Sequence, residues 1–272
     1  MAVANFIPTI WSSAILERFN VSNMLIPGLN HEYEGVLAAG NTVKITGFTT
    51  PTIVDYAAAS RVITPAAMTD NTQSLVIYQE KAFSIVKDDI DAVQSAGSLD
   101  AVTRDAGAAL AEDAEATVIA ALKSGGTSAG TGAITTPDLA YAAVVAIRQA
   151  LVKAVVPTSD RVLAVSPEFA SLLLGSASKL TSFDPVGEEP IRNGVIGRLL
   201  GFTVVEHPQL THTSNRPCAI GFHTKSVGYV GQIQKVEAGR MENKFADYVR
   251  GLNVFGTKVL RATAVQTYLP AS

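Results

Sequence analysis

Two runs that alternate apolar and polar residues, EGVLAAGNTVKITGF (34–48) and QSLVIYQEKAFSIVKDD (73–89), are separated by the 23 residues from Thr50 to Thr72. Alternation of Val43, Ile45 and Phe48 with Lys44 and Thr46 predicts a strand entered through a turn at Gly40 and Asn41, and the second run reads as its return strand. The connection is long for a hairpin and beyond the length that compact domains tolerate without secondary structure. It is rich in Ala, Thr and Pro, carries only Asp55, Arg61 and Asp70 as charges, and contains Ile53, Val54, Tyr56, Val62 and Ile63. Bare on a monomer, such a segment is an aggregation hazard. It therefore reads as an extended flap whose apolar residues lie on another subunit. The expected contacts are Ile53, Tyr56, Arg61 and Ile63. Tyr56 can bury its ring while its hydroxyl keeps a partner, and Arg61 can pair with a neighbour's carboxylate.

Composition points the same way. Of 272 residues, 47% are hydrophobic and 17% charged, with a formal charge of minus 3, so the surface is sparsely charged. This excludes a disordered chain and a strongly basic nucleic-acid binder. The length allows one large domain or two joined ones. Residues 1–136 carry 7 Lys or Arg against 14 Asp or Glu, whereas residues 137–272 carry 14 against 10, which is minus 7 followed by plus 4. The imbalance is either ordinary surface scatter or complementarity between copies. The start MAVANFIPTIW has no basic segment followed by an apolar run, and no stretch is long and apolar enough to span a bilayer. A soluble chain from a reducing compartment is expected, with the single cysteine, Cys218, as a small core side chain.

Residues 5–19, NFIPTIWSSAILERF, read as a short amphipathic helix after Pro8, an arm in need of a partner. Its expected anchors on an adjacent subunit are Phe6, Ile10, Trp11 and Phe19. The clearest element is a helix from about Leu99 to Lys123, in which Val102, Ala106, Leu110, Ala114, Val118 and Leu122 recur every four residues. Asp100, Arg104, Asp105, Glu112, Asp113 and Glu115 fill much of the remainder. Its Ala and Gly residues, Gly107 among them, suggest close approach of a neighbouring backbone. SGGTSAGTG (124–132) reads as a flexible loop. Thr136, Pro137 and Asp138 then start a second helix. A buried strand at 162–165, a short helix opened by Ser166 and Pro167, and strands around 202–206 and 219–230 make 137–235 a compact α/β unit, with a strand-rich tail after it.

No constellation suggests catalysis, a cofactor or a metal. SGGTSAGTG lacks the Lys-Ser/Thr of a phosphate loop and follows a helix, and GVIGRLLG lacks the dinucleotide spacing. His207, His212, Cys218 and His223 do not meet a strong ligand spacing, so structural roles are expected. Asp88, Asp89 and Asp91 read as a solvated turn before the long helix.

The order of AVANFIPTIW with AILERF, EGVLAAGNTVKI, YQEKAFSIVKDD, DAVTRDAGAALAEDAEATVIAAL, and GFTVVEHPQL leading to VLRATAVQTYLP resembles the major capsid proteins of tailed bacteriophages, in the group similar to the P22 coat protein. The resemblance implies an α+β, HK97-type fold with N-terminal arm (1–40), extended β-hairpin loop (41–90) and peripheral domain with its long spine helix (91–136). It further implies an α/β axial domain (137–235) and C-terminal strands (236–272) that return to the peripheral domain. It also implies a non-enzymatic shell protein of the virion, assembled in the host bacterial cytoplasm as hexamers and pentamers around double-stranded DNA. Its partners would be many copies of itself, a scaffolding protein and portal during assembly, and packaged DNA through non-specific contacts, with no membrane. The chain is too short for the inserted surface domain of the P22 coat protein. An encapsulin-like shell for protein cargo and a soluble α/β enzyme acting on a small molecule are the alternatives.

Overall fold

Helix and strand starts follow local chemistry. A computed structural model describes residues 24–33, 41–48, 53–58, 61–62, 70–88, 99–175 and 197–271. Among these, strands β1 (Thr42–Phe48), β2 (Asp70–Val76) and β3 (Gln79–Asp88) precede helix α1 (Leu99–Gly125), β4 (Thr127–Gly130) and α2 (Pro137–Lys153). β5 (Arg161–Val165), α3 (Pro167–Leu173), β6 (Arg198–Leu199), β7 (Phe202–Glu206) and β8 (Ala219–His223) follow. The long strands β9 (Val227–Arg240) and β10 (Ala246–Val259) and the short β11 (Val265–Tyr268) close the order. The Thr136 hydroxyl accepts from the Leu139 N–H at the start of α2, with Pro137 in the first turn and Asp138 near the positive end of the helix dipole. Ser166 Oγ does the same for the Phe169 N–H of α3 at 3.3 Å.

A six-stranded mixed sheet, ordered β4-β11-β8-β5-β7-β6, is covered on both faces. Period-2 alternation divides its side chains. Leu163, Val165 and Ala219 pack with Val144, Ile147 and Leu151 of α2 and Phe169 of α3, whereas Ala164, Ile220 and Phe222 pack with Val118 and Leu122 of α1. Gly221 lets α2 approach, since a Cβ there would collide with Ile147. Burying each of Phe169, Phe202, Phe222 and Phe255, all fully enclosed, contributes roughly 1.5–3 kcal/mol.

Four expectations are corrected. The run 73–89 is not one return strand: β2 pairs with β1, but at Ile77 and Tyr78 the chain crosses into a second sheet, where β3 pairs with β10 in the order β3-β10-β9. Ile77 and Leu75 are buried with Val43, Val230 and Val254, so a small separate core anchors the root of the hairpin and forces the crossing. SGGTSAGTG is not a loop: α1 runs through Gly125, and β4 pairs in parallel with β11. Its glycines permit close packing, because a Cβ on Gly126 would lie 2.8 Å from a Thr267 side-chain carbon. Gly107, by contrast, has nothing within 4 Å of a would-be Cβ and needs no close neighbour among the described residues. β11, though part of the C-terminal segment, runs inside the six-stranded sheet between β4 and β8.

Candidate assembly surfaces

The flap tip is held by its own main chain. Asp55 Oδ1 accepts from the Ala57 and Ala58 N–H groups at 3.0 and 3.4 Å, and the Arg61 N–H donates to the Tyr56 carbonyl at 2.9 Å with Arg61 in the left-handed region (φ 63°). This turn projects apolar side chains outward: Ile53 is 95% exposed, Val62 67% and Tyr56 51%. Arg61 is exposed beside them. The other expected contacts, Phe6, Ile10, Trp11, Phe19 and Ile63, lie outside the described residues.

Two further apolar surfaces were not legible as such. On the three-stranded sheet, Tyr248, Arg250 and Leu252 of β10 share one face with their β3 partners Val86, Ser84 and Ala82. Val86 and Leu252 are exposed there. Arg250 places both Nε and Nη2 on Glu237 Oε2, at 3.0 and 2.7 Å, and lies over the Tyr248 ring with 5.3 Å to its centroid. The hydrogen bonds that Arg250 donates to Glu237, then the nearby charges of Tyr248 and Glu237, raise the guanidinium pKa. Being solvent-exposed, this group orders the face more than it stabilises the fold. The opposite face carries Lys81, which reaches Asp113 of α1 at 3.3 Å.

The second surface runs along α2, where Val145 and Val152, on one side of the helix, are exposed and lead to Val155 at 89% exposure. Val155 occupies the left-handed position just past the helix (φ 56°), with Val156 N–H donating to the Leu151 carbonyl at 3.1 Å. That position ordinarily takes glycine, and a β-branched residue there is strained. A groove of about 750 Å³ lies between Ala116, Ala120 and Ser124 of α1 and Tyr78 and Lys258.

The histidines and the cysteine serve the fold. His207 Nε2 lies 2.9 Å from Glu115 Oε2, His212 Nε2 lies 2.9 Å from the Pro270 carbonyl, and His223 Nδ1 accepts from the Lys225 N–H at 3.1 Å. Burial lowers the His223 pKa, and it raises that of the enclosed Cys218 thiol, whose Sγ lies 3.6 Å from the Leu210 carbonyl. No grouping of potential metal ligands occurs among the described residues.

Exposed apolar residues thus occur on the flap turn, on the three-stranded sheet and on α2. A family model described as phage capsid protein matches residues 70–268. The chain belongs to the phage capsid protein family. A solved structure from Mycobacterium phage Che8 is 38% identical and superposes with a TM-score of 0.89, covering 98% of each chain. The capsid structure of the cyanophage P-SCSP1u shares the fold at 16% identity, with a TM-score of 0.82 over 100% of this chain and 95% of that one. The asymmetric unit of the bacteriophage PhiM1 mature capsid shares it at 14% identity and 0.75, over 97% and 91%. No curated protein matches significantly. As a major capsid protein of HK97-type fold, the chain is a structural component of the virion that assembles with its own copies.

Proposed function

We propose that this capsid protein forms hexamers and pentamers that close into an icosahedral head around double-stranded DNA, and that the flap is one of its principal subunit contacts. The observation that carries the reading is the flap tip, which holds Ile53 at 95% exposure on an ordered turn instead of folding it inward. Ile53, Tyr56 and Arg61, with Ile63, bury against a neighbour, and Phe6, Ile10, Trp11 and Phe19 anchor the arm to an adjacent subunit. Many such weak, repeated contacts sum to a stable shell through multivalency while single contacts stay reversible enough to correct errors. In this reading the β1–β2 hairpin with its connection acts as the extended loop, and the sheet β3-β10-β9 with α1 as the peripheral domain. The six-stranded sheet with α2 and α3, to which β4 and β11 contribute, acts as the axial domain, with 1–40 as the arm.

Assembly takes place in the host bacterial cytoplasm with a scaffolding protein and a portal, and contact with packaged DNA is non-specific. The subunit has no catalytic role. Family membership supports this reading. Native particles purified from a phage lysate test it: the expected result is megadalton particles with a nucleic-acid absorbance ratio at 260 and 280 nm. A protein-like ratio would favour a protein-cargo compartment, and a monomer or small oligomer would end the shell reading.

A further inference from the structure

Glu115 and His207 are both buried, at 1% and 0% exposure, and none of the apolar surfaces uses them. Glu115 Oε1 accepts from the Leu25 N–H at 3.0 Å and the Ile26 N–H at 3.1 Å. These donors open the 3-10 turn Ile26–Gly28, whose N-cap residue, Leu25, provides no side-chain cap. A carboxylate 90 residues away thus replaces the missing cap. The other oxygen, Oε2, faces His207 Nε2 at 2.9 Å and the Leu25 N–H at 3.3 Å. His207 Nδ1 accepts from the Gln209 N–H at 3.2 Å, which places the ring proton on Nε2, 2.9 Å from Glu115 Oε2 but off the line of a well-formed hydrogen bond. The His207 N–H in turn donates to the Val165 carbonyl of β5 at 3.0 Å. One carboxylate therefore joins the start of the described chain, the middle of α1 and the six-stranded sheet.

We propose that Glu115 and His207 form a proton-dependent latch, with Glu115 as the positioning residue that holds the root of the N-terminal segment at Leu25 and Ile26 against α1. Three donors converge on two oxygens, so a proton added to the carboxyl turns one acceptor into a donor facing a donor. The protonated group then loses at least one of these contacts in an enclosed site where water cannot replace it. Burial alone raises the Glu115 pKa, but the His207 ring N–H beside it and the backbone donors Ile26 and Leu25 outweigh it and bring it below the ordinary value of 4.5. The sign follows: stabilisation by the latch is complete above the ordinary carboxyl value and disappears as pH falls through the lower folded one. Of the other ionisable groups near the latch, several are engaged elsewhere. His31 Nε2 is 2.8 Å from the Ile26 carbonyl, Lys123 Nζ bonds the Thr211 carbonyl, Asp113 pairs with Lys81, and Tyr229 stacks on Phe255, while Cys218 is enclosed and Glu206 ends β7.

Amide hydrogen exchange of the full chain, in free subunits and in shells, tests the latch when corrected for the intrinsic pH dependence of exchange. On acidification below the ordinary carboxyl range, Leu25 and Ile26 are expected to lose protection by roughly tenfold, the size of one lost hydrogen bond to a charged group, while Val118 and Leu122 amides of α1 keep theirs. Glu115→Gln keeps an acceptor for the backbone donors but presents an amide N–H₂ to the His207 proton. It should give lower protection at neutral pH and a flat acid profile. His207→Gln retains a donor towards Glu115 with poorer geometry and should move the acid midpoint upward, which provides a second route if the first variant does not fold. Unchanged protection of Leu25 and Ile26 across the range, or loss only together with Val118 and Leu122, would overturn the latch. So would a wild-type acid profile in a folded Glu115→Gln. The readout lies inside one subunit, so its failure leaves the shell reading untouched.

Discussion

Gly256 of β10 lies directly against the main chain of Ile77, and a Cβ at position 256 would sit 2.9 Å from the Ile77 Cα and collide with the Val76 carbonyl oxygen. This is the point at which the chain leaves the β1–β2 hairpin for the three-stranded sheet. Backbone on backbone leaves no flexible side chain to yield. Gly256→Ala is therefore expected to destabilise the subunit by about 1–3 kcal/mol, the usual range for overpacking. Thermal denaturation of the subunit measures it, and a variant with wild-type Tm would show that the crossing adjusts freely.

Ser166 Oγ accepts from two backbone donors, the Phe169 N–H of α3 at 3.3 Å and the Cys218 N–H beside β8 at 3.2 Å, in a site with no solvent access. Ser166→Ala removes the helix cap and leaves the Cys218 donor without its acceptor. The expected loss is about 1–2 kcal/mol in chemical denaturation. Ser166→Thr, which keeps the oxygen, should recover part of it.

Val155 makes the opposite prediction. Its side chain is 89% exposed and its backbone is left-handed, so Val155→Gly relieves a strain of about 1–2 kcal/mol at some entropic cost from the glycine. The free subunit should gain up to about 1 kcal/mol. If the side chain is retained for a subunit contact, the same variant assembles less well despite its greater stability, which light scattering against subunit concentration would reveal.

Local signals in the sequence were legible because their partners are adjacent in the chain. Thr136-Pro137-Asp138 and Ser166-Pro167 announce helices α2 and α3 through capping chemistry that spans three residues. Pairing was not legible: β3 alternates as a hairpin return would, yet its partner, β10, lies more than 150 residues further on and is selected by the small core around Leu75 and Ile77. The glycines of residues 124–132 read as flexibility, whereas a parallel strand pair uses them for closeness. Glu115 was hidden among the carboxylates Glu112 and Asp113 of a surface-like pattern. Its place between Ala114 and the buried Val118 and Ile119 was the available sign that it sits on the inner face of α1. The exposure of Ile53, Tyr56 and Val62 was legible because they lie on a long, weakly charged connection with too few apolar neighbours in the chain to bury them.

The most direct measurement compares shell formation by the wild-type chain and by an Ile53→Asp/Val62→Asp variant, using negative-stain microscopy and sedimentation under the same assembly conditions. Both positions are exposed in the free subunit, so the variant should fold with an unchanged Tm. If the flap tip buries against a neighbour, two unpaired carboxylates in that interface cost several kcal/mol at each repeated contact. The wild type is predicted to close shells while the variant remains as subunits or small oligomers. Closed shells of equal yield and stability from the variant would contradict the account.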